Sequence, residues 1–130
     1  VTHAEPHPQG LARIAEELAR YGRPLLVLGC GAATDDDEER VAWIRDHTEQ
    51  AALAIGRGAD IRGYFHHAFL DGFEGTEGLA RRYGLVHVDR ETVARTPNQS
   101  AWYYRRLIEG GGRVPSGSGR PEARQKGVSR

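Results

Sequence analysis

The chain has no methionine, one cysteine and almost no lysine: of its 18 basic residues only Lys126 is not an arginine. Cys30, standing alone, cannot close an internal disulfide. An excess of charge of either sign is also missing. The 18 basic residues balance 18 acidic ones, so composition makes no case for a nucleic-acid partner or an anionic membrane surface. No apolar run nears the ~18 residues that a membrane-spanning helix needs. No charged-then-apolar leader precedes the first helical pattern, so a cytoplasmic chain is expected. The abundance of Arg, Ala and Gly reads as coding bias. A length of 130 residues fits one domain, or part of one.

What is present alternates in period. Leu11, Ile14, Ala15 and Leu18 fall on one stripe, which predicts a helix over 10–22 ended by Gly22 and Pro24. Leu25-Leu26-Val27-Leu28 follows, a continuous apolar run of strand length that suits a strand buried on both faces. Gly29-Cys30-Gly31 then breaks it. The acidic cluster Asp35–Glu39 is placed to open a second helix, where unpaired N–H groups and the macrodipole favour carboxylates. It lacks the Gly and terminal Glu of a calcium loop, so a metal role is not expected of it. Val41, Ile44, Thr48, Ala51, Ala52 and Ile55 give that helix its less polar face. Ile61–Ala68 reads as a second strand, and Tyr83–Val88 as a short extended segment after a Gly-rich loop. Thr96-Pro97-Asn98-Gln99 predicts a helix start with Thr96 as cap and Pro97 in the first turn. Ala101, Tyr104, Leu107 and Ile108 would be its apolar face. Residues 110–130, rich in Gly, Ser, Pro and Arg, have little to bury and are expected to be a disordered tail. Alternating helices and strands imply an α/β chain of parallel βα units. Two strands close no sheet, so these residues look like a piece of something larger.

Six stretches carry a likeness. They are Pro8-Gln9-Gly10-Leu11, Leu28 through Ala32, Arg40 through His47, Ile61 through Gly75, Arg82 through Asp89, and Pro97 through Tyr104. In that order they resemble the C-terminal part of family 1 glycoside hydrolases, the β-glucosidase type. The matched motifs are a Pro-Glu-Gly-Leu helix start, a strand ending Thr-Glu-Asn-Gly-Ala, an Arg-Val-x-x-(Leu/Ile)-Arg-Asp-His helix, a Gly-Tyr-Phe-x-Trp-Ser strand with its Asn-Phe-Glu-Trp loop, an Arg-(Tyr/Phe)-Gly-Leu-Val segment and a Pro-x-x-Ser-x-x-(Trp/Tyr)-Tyr helix. The resemblance implies that residues 1–109 are the last two βα units of a (β/α)8 TIM barrel. Since such a barrel needs roughly 250 residues, the strand bearing the family's acid/base Glu is expected outside this stretch.

The resemblance also assigns positions. A retaining glycosidase uses two carboxyls about 5 to 5.5 Å apart, one as acid/base and one as nucleophile. The family's nucleophile position is Gly29 here, which has no side chain to attack with. Neighbouring positions have drifted too, which argues for decay rather than design. The family's apolar floor beneath the sugar ring is His67. Of the sugar-contacting loop Glu74 survives, while Gly72 and Gly75 stand for the Asn and Trp. Substrate contact is therefore expected of Glu74 and His67, and no catalytic residue is assigned. Cys30, His66 and His67 lie at the ends of two strands that the resemblance places side by side, but His66 and His67 are adjacent on one strand and point to opposite faces, so no metal site and no cofactor are expected. Cys30 as a nucleophile lacks a nameable orienting group. Three roles stay open: an inactive fragment or remnant of a β-glucosidase, an assembly or binding module, and a repurposed barrel. The module's partner would be the missing N-terminal barrel portion or a second copy; the parent family's ligand would be a β-glucoside or related sugar.

Overall fold

A computed structural model describes residues 6–114. The two ends, 1–5 and 115–130, lie outside the described residues, and with them most of the expected tail. The described chain runs α1 (Gln9–Ala19), β1 (Leu25–Cys30), α2 (Asp37–Gly56), β2 (Ile61–His66), β3 (Val86–Val88), β4 (Arg95–Pro97) and α3 (Gln99–Glu109), with a 3-10 turn at Gly75–Glu77. No helix among the described residues is long and apolar enough to cross a membrane.

β1 and β2 pair in parallel through the crossover helix α2, and each has one sheet neighbour. Their register is Leu25 with Ile61, Leu26 with Gly63, Val27 with Tyr64 and Cys30 with His66. It slips twice. Arg62 is the extra residue on β2, and the second slip falls between Val27 and Cys30, where Gly29 has φ +67°. That is a β-bulge with glycine in the left-handed region. β1 therefore extends two residues past the expected break, because the glycine bends the strand without ending it.

One face of the pair is covered. Leu25 and Ile61 pack on a cluster of alanines, Ala12 and Ala15 from α1 with Ala54 and Ala59 from the end of α2. A second cluster of Ile44, Leu85, Tyr103 and Leu107 joins α2 to α3, with Val114 packed against it beyond the end of the helix. The other face is open. Leu26 and Phe65 lie together over Gly63, where an added Cβ would strike both; alternation puts Leu28 beside them, 69% exposed. The expectation of a β1 buried on both faces is thus met on one face only.

The helix faces differ from expectation in an informative way. On α1 it is Ala12 and Ala15 that are buried, while Ile14 and Leu18 of the expected core stripe are exposed, as is Tyr21 just beyond the helix. The helix sits at the margin of the sheet, where small residues permit close approach to α2 and the large ones face outward. On α2, Ile44, Thr48 and Ala51 are buried as expected, whereas Ala52 and Ile55 are exposed. On α3, Leu107 is buried and Ile108 is exposed; Tyr103, which the expected stripe omitted, is 2% exposed.

The start of α3 is a correction. Thr96 and Pro97 belong to β4, paired antiparallel with β3 through Val86–Pro97, His87–Thr96 and Val88–Arg95. Asn98 is the cap residue, yet its side chain makes no cap bond and its amide donates to the Gly84 carbonyl at 3.2 Å. The cap comes from α2 instead. Asp37 accepts from the Ser100 backbone N–H at 2.8 Å and the Ser100 hydroxyl at 2.6 Å, and Ser100 is fully buried. The same carboxylate pairs with Arg40 at 2.7 Å, and Arg40, 3% exposed, also donates to the carbonyls of Thr34 and Arg82. A charged group so buried needs such partners. The network locks the loop after β1 and the segment after β2 onto the helix layer. Asp36 caps α2 through the Glu38 N–H at 2.9 Å, with Asp37, Glu38 and Glu39 in the first turn, as the acidic cluster predicts.

Candidate functional site

The C-terminal ends of the two parallel strands meet at Gly29–Gly31 and His66–Ala68. The His67 N–H donates to the Cys30 carbonyl at 3.2 Å, and a Cβ at Gly31 would collide with the His67 carbonyl. Glycine at 31 is therefore what lets the strand ends approach. At Gly29 the space is open: a Cβ there would meet nothing within 4 Å. A side chain would fit, at the cost of a left-handed backbone.

The structure brings together the two residues from which substrate contact is expected. His67 Nε2 lies 3.1 Å from a Glu74 carboxylate oxygen. An ionised carboxylate can only accept, so Nε2 donates this bond, and in the neutral form of the ring Nδ1 then keeps its lone pair. His67 is about half exposed, and Glu74 is the more buried of the two. Tyr83 meets the imidazole edge-on, ring centroids 5.1 Å apart. Tyr83 was legible only as part of an extended segment; its contact depends on a fold-back that no local pattern announces. The loop bearing Glu74 is closed by reciprocal backbone bonds between Glu74 and Gly78, of 2.7 and 3.0 Å.

Asp71 holds the base of this loop. It accepts from Arg82 at 2.9 Å, from the Gly84 N–H at 3.0 Å and from the Val88 N–H at 3.3 Å, with His87 Nδ1 also 3.3 Å away. At Gly84 a Cβ would strike Asp71, so glycine there allows the two segments to touch. Arg82 reaches on to Asp35 at 3.4 Å, tying this loop to the one after β1.

The neighbouring histidine goes elsewhere. His66 turns into the helix layer, 6.1 Å from the Tyr104 ring, and both of its ring nitrogens are buried without a well-formed hydrogen bond. Burial pushes its imidazole down to about 4, with Arg40 and His67 adding in the same direction against a partial offset from the nearby backbone of Tyr83 and Cys30. Burial likewise raises the Tyr64 phenol, with the Cys30 thiol beside it. Cys30, His66 and His67 therefore do not converge, and no three His, Cys, Asp or Glu side chains among the described residues gather as metal ligands. A cavity of about 500 Å³ opens on the far side of the Gly31–Thr34 loop, between Pro8, the stacked rings of Trp43 and His47, and Arg81; it shares Tyr83 with the His67 pair.

Comparison with known proteins gives these features a setting. The profile of glycosyl hydrolase family 1 matches residues 5–113. The 6-phospho-β-galactosidase of Leptotrichia buccalis is 34% identical over 114 residues, and β-glucosidase 4 of Oryza sativa subsp. japonica is 32% identical over 117. Each alignment takes in 79% of this chain and 24% of the relative. Among solved structures, a β-glycosidase from Pyrococcus horikoshii superposes with a TM-score of 0.81 at 38% identity, covering 86% of this chain and 26% of that one. A family 1 β-glucosidase from Thermotoga maritima in complex with isofagomine lactam gives 0.81 at 31% identity, covering 84% and 27%. The chain thus spans about a quarter of the length of these relatives.

Proposed function

The chain belongs to glycosyl hydrolase family 1, and on that premise we propose that it is the C-terminal part of a β-glucosidase-type barrel that does not hydrolyse glycosides by double displacement. The described residues form a small α/β piece of an incomplete (β/α)8 barrel.

The observation that carries the proposal is Gly29. The motif likeness assigns it the place of the family's nucleophile, and it lies at the C-terminal end of β1, the end of the strands where a barrel's chemistry is built. Covalent retention needs a carboxylate that attacks the anomeric carbon opposite the acid/base group. A glycine offers none, and the surviving carboxylate, Glu74, is turned to His67. The pair supports a non-covalent role instead: the Glu74 carboxylate fixes the ring, leaving Nδ1 to accept a hydrogen bond from a hydroxyl of a β-glucoside or related sugar. The test is nitrophenol release from an aryl β-glucoside by the 130-residue chain. Release at the no-protein background is expected. Hydrolysis above it that disappears in Glu74→Ala would overturn the reading.

A second observation favours an assembly role. Among the described residues β1 and β2 each keep one edge without a sheet neighbour, and Leu26, Leu28 and Phe65 share an exposed face. We infer that the chain binds the remainder of a barrel.

A further inference from the structure

The cavity beyond the Gly31–Thr34 loop takes no part in the His67–Glu74 pair. Its walls come from the residues that lead into α1, the first half of α2, the loop after β1, and the 3-10 turn with the segment that follows it. At about 500 Å³ it has the volume of a small-molecule site. Pro6, Pro8, Ala32, Ala42 and Trp43 give it apolar surface. Its chemistry turns on His47, which is 7% exposed and so more than nine-tenths withdrawn from solvent. The ring stacks on Trp43, centroids 4.2 Å apart and planes 24° apart. Its Nδ1 lies 2.8 Å from the Trp43 carbonyl oxygen. A carbonyl only accepts, so Nδ1 donates, and the neutral ring keeps its lone pair on Nε2. Nε2 has no hydrogen-bond partner among the described residues, yet it is not sealed in as both nitrogens of His66 are. The cavity wall thus holds a fixed acceptor with nothing to accept from.

The charges around it narrow the ligand. Glu39 accepts from the Thr34 hydroxyl at 2.7 Å, Asp46 accepts from Arg45 at 2.8 Å, and Glu77 lies 3.4 Å from Arg81. Each carboxylate has a partner already and keeps spare lone pairs. An anion entering the cavity would face three carboxylates. An amine would face Arg81 and find each carboxylate engaged. What the wall offers is acceptors beside apolar surface, and a pyranose answers both, with hydroxyl donors on its edge and C–H groups on its face. We propose that this cavity is a carbohydrate site separate from the His67–Glu74 pair, in which His47 Nε2 accepts a hydrogen bond from a hydroxyl of a neutral pyranose.

The experiment titrates the 130-residue chain with methyl β-glucoside and follows tryptophan emission. The sequence has two tryptophans, so Trp102→Phe leaves Trp43 as the single reporter. A saturable change is expected in the parent chain and in Trp102→Phe. In the Trp102→Phe background, His47→Phe keeps a ring against Trp43 and removes the acceptor, and it should weaken binding about fivefold or more, the worth of one hydrogen bond. Ala42→Phe fills the cavity and should abolish the response. Far-UV circular dichroism checks that both variants keep their helices. Two further ligands need no variant: glucose 6-phosphate should bind at least about fivefold more weakly than the glucoside, since its phosphate meets like charge, and glucosamine should bind no more tightly. A parent chain whose emission does not saturate overturns the proposal. So does a response that survives Ala42→Phe, which would place the sugar elsewhere, at the His67–Glu74 pair for one. Tighter binding of glucose 6-phosphate or of glucosamine overturns the neutral ligand.

Discussion

Acid should weaken this fold through one buried imidazole. Above a pH of about 6.5, His66 is neutral both in the folded chain and in the unfolded one. Folding moves the ring into the helix layer beside Tyr104, where burial and the Arg40 charge oppose protonation and push it down to about 4. Between these values the unfolded chain takes up a proton that the folded chain refuses. Stability is therefore complete above the unfolded value, declines as the pH falls through the window from about 6.5 to 4, and loses nothing further to this residue below it. At roughly 1.36 kcal/mol per unit, the loss is about 2 kcal/mol at a pH near 5 and about 3 kcal/mol across the window. Other groups titrate there too, so the informative quantity is a difference. His66→Phe keeps an aromatic ring against Tyr104 and removes the proton site. Urea midpoints followed by far-UV circular dichroism, at pH values of about 7.5, 6 and 5, should fall more steeply for the parent chain than for His66→Phe. Parallel pH profiles would refute the reasoning, because the uncompensated ring would then contribute nothing to the acid sensitivity.

Four further outcomes follow from the contacts. Asp37→Ala removes the acceptor of two Ser100 groups and the partner of buried Arg40, so a loss of about 3 kcal/mol is expected by urea unfolding. Asp37→Ala and Ser100→Ala should be strongly non-additive in a double-mutant cycle, and additivity would show that the two side chains do not act together. Gly31→Ala drives a methyl into the His67 carbonyl and should disturb the strand ends more than Gly29→Ala, which meets only a backbone cost of about 1 kcal/mol in the left-handed region; thermal melts of the two variants would rank them. Gly29→Glu fits sterically but keeps that backbone cost, and it should leave aryl β-glucoside hydrolysis at background, since attack also needs a second carboxyl to protonate the leaving group.

Most elements were legible from local pattern: the three helices, the two parallel strands, the acidic start of α2 and the order of the units. What escaped was set by contacts distant in sequence. The cap of α3 comes from Asp37, 63 residues away, so the Thr-Pro signal at Thr96 and Pro97 could be recruited into a strand pair. The stripe of Leu11, Ile14, Ala15 and Leu18 correctly announced a helix but not which part of it would be covered. Apolar periodicity reports a face seeking a neighbour, and for Ile14 and Leu18 that neighbour is not among the described residues. At the site, the motif comparison singled out His67 and Glu74 separately; their hydrogen bond depends on how the Gly-rich loop folds back. Asp71 was passed over because a lone Asp in a loop has no signature before its three donors come together.

The Asp71 junction has a consequence for how such a chain can change over time. The loop that carries Glu74 owes its path to a carboxylate gripping Arg82 and two backbone N–H groups, and to the Glu74–Gly78 backbone pair. These bonds run between groups of the chain itself. Shape is thus inherited separately from chemistry at this end of the strands. Exposed positions such as Gly29, Gly72 and Gly75 could change without unravelling the rim, and a rim that keeps its outline stays available for selection to fit with new side chains.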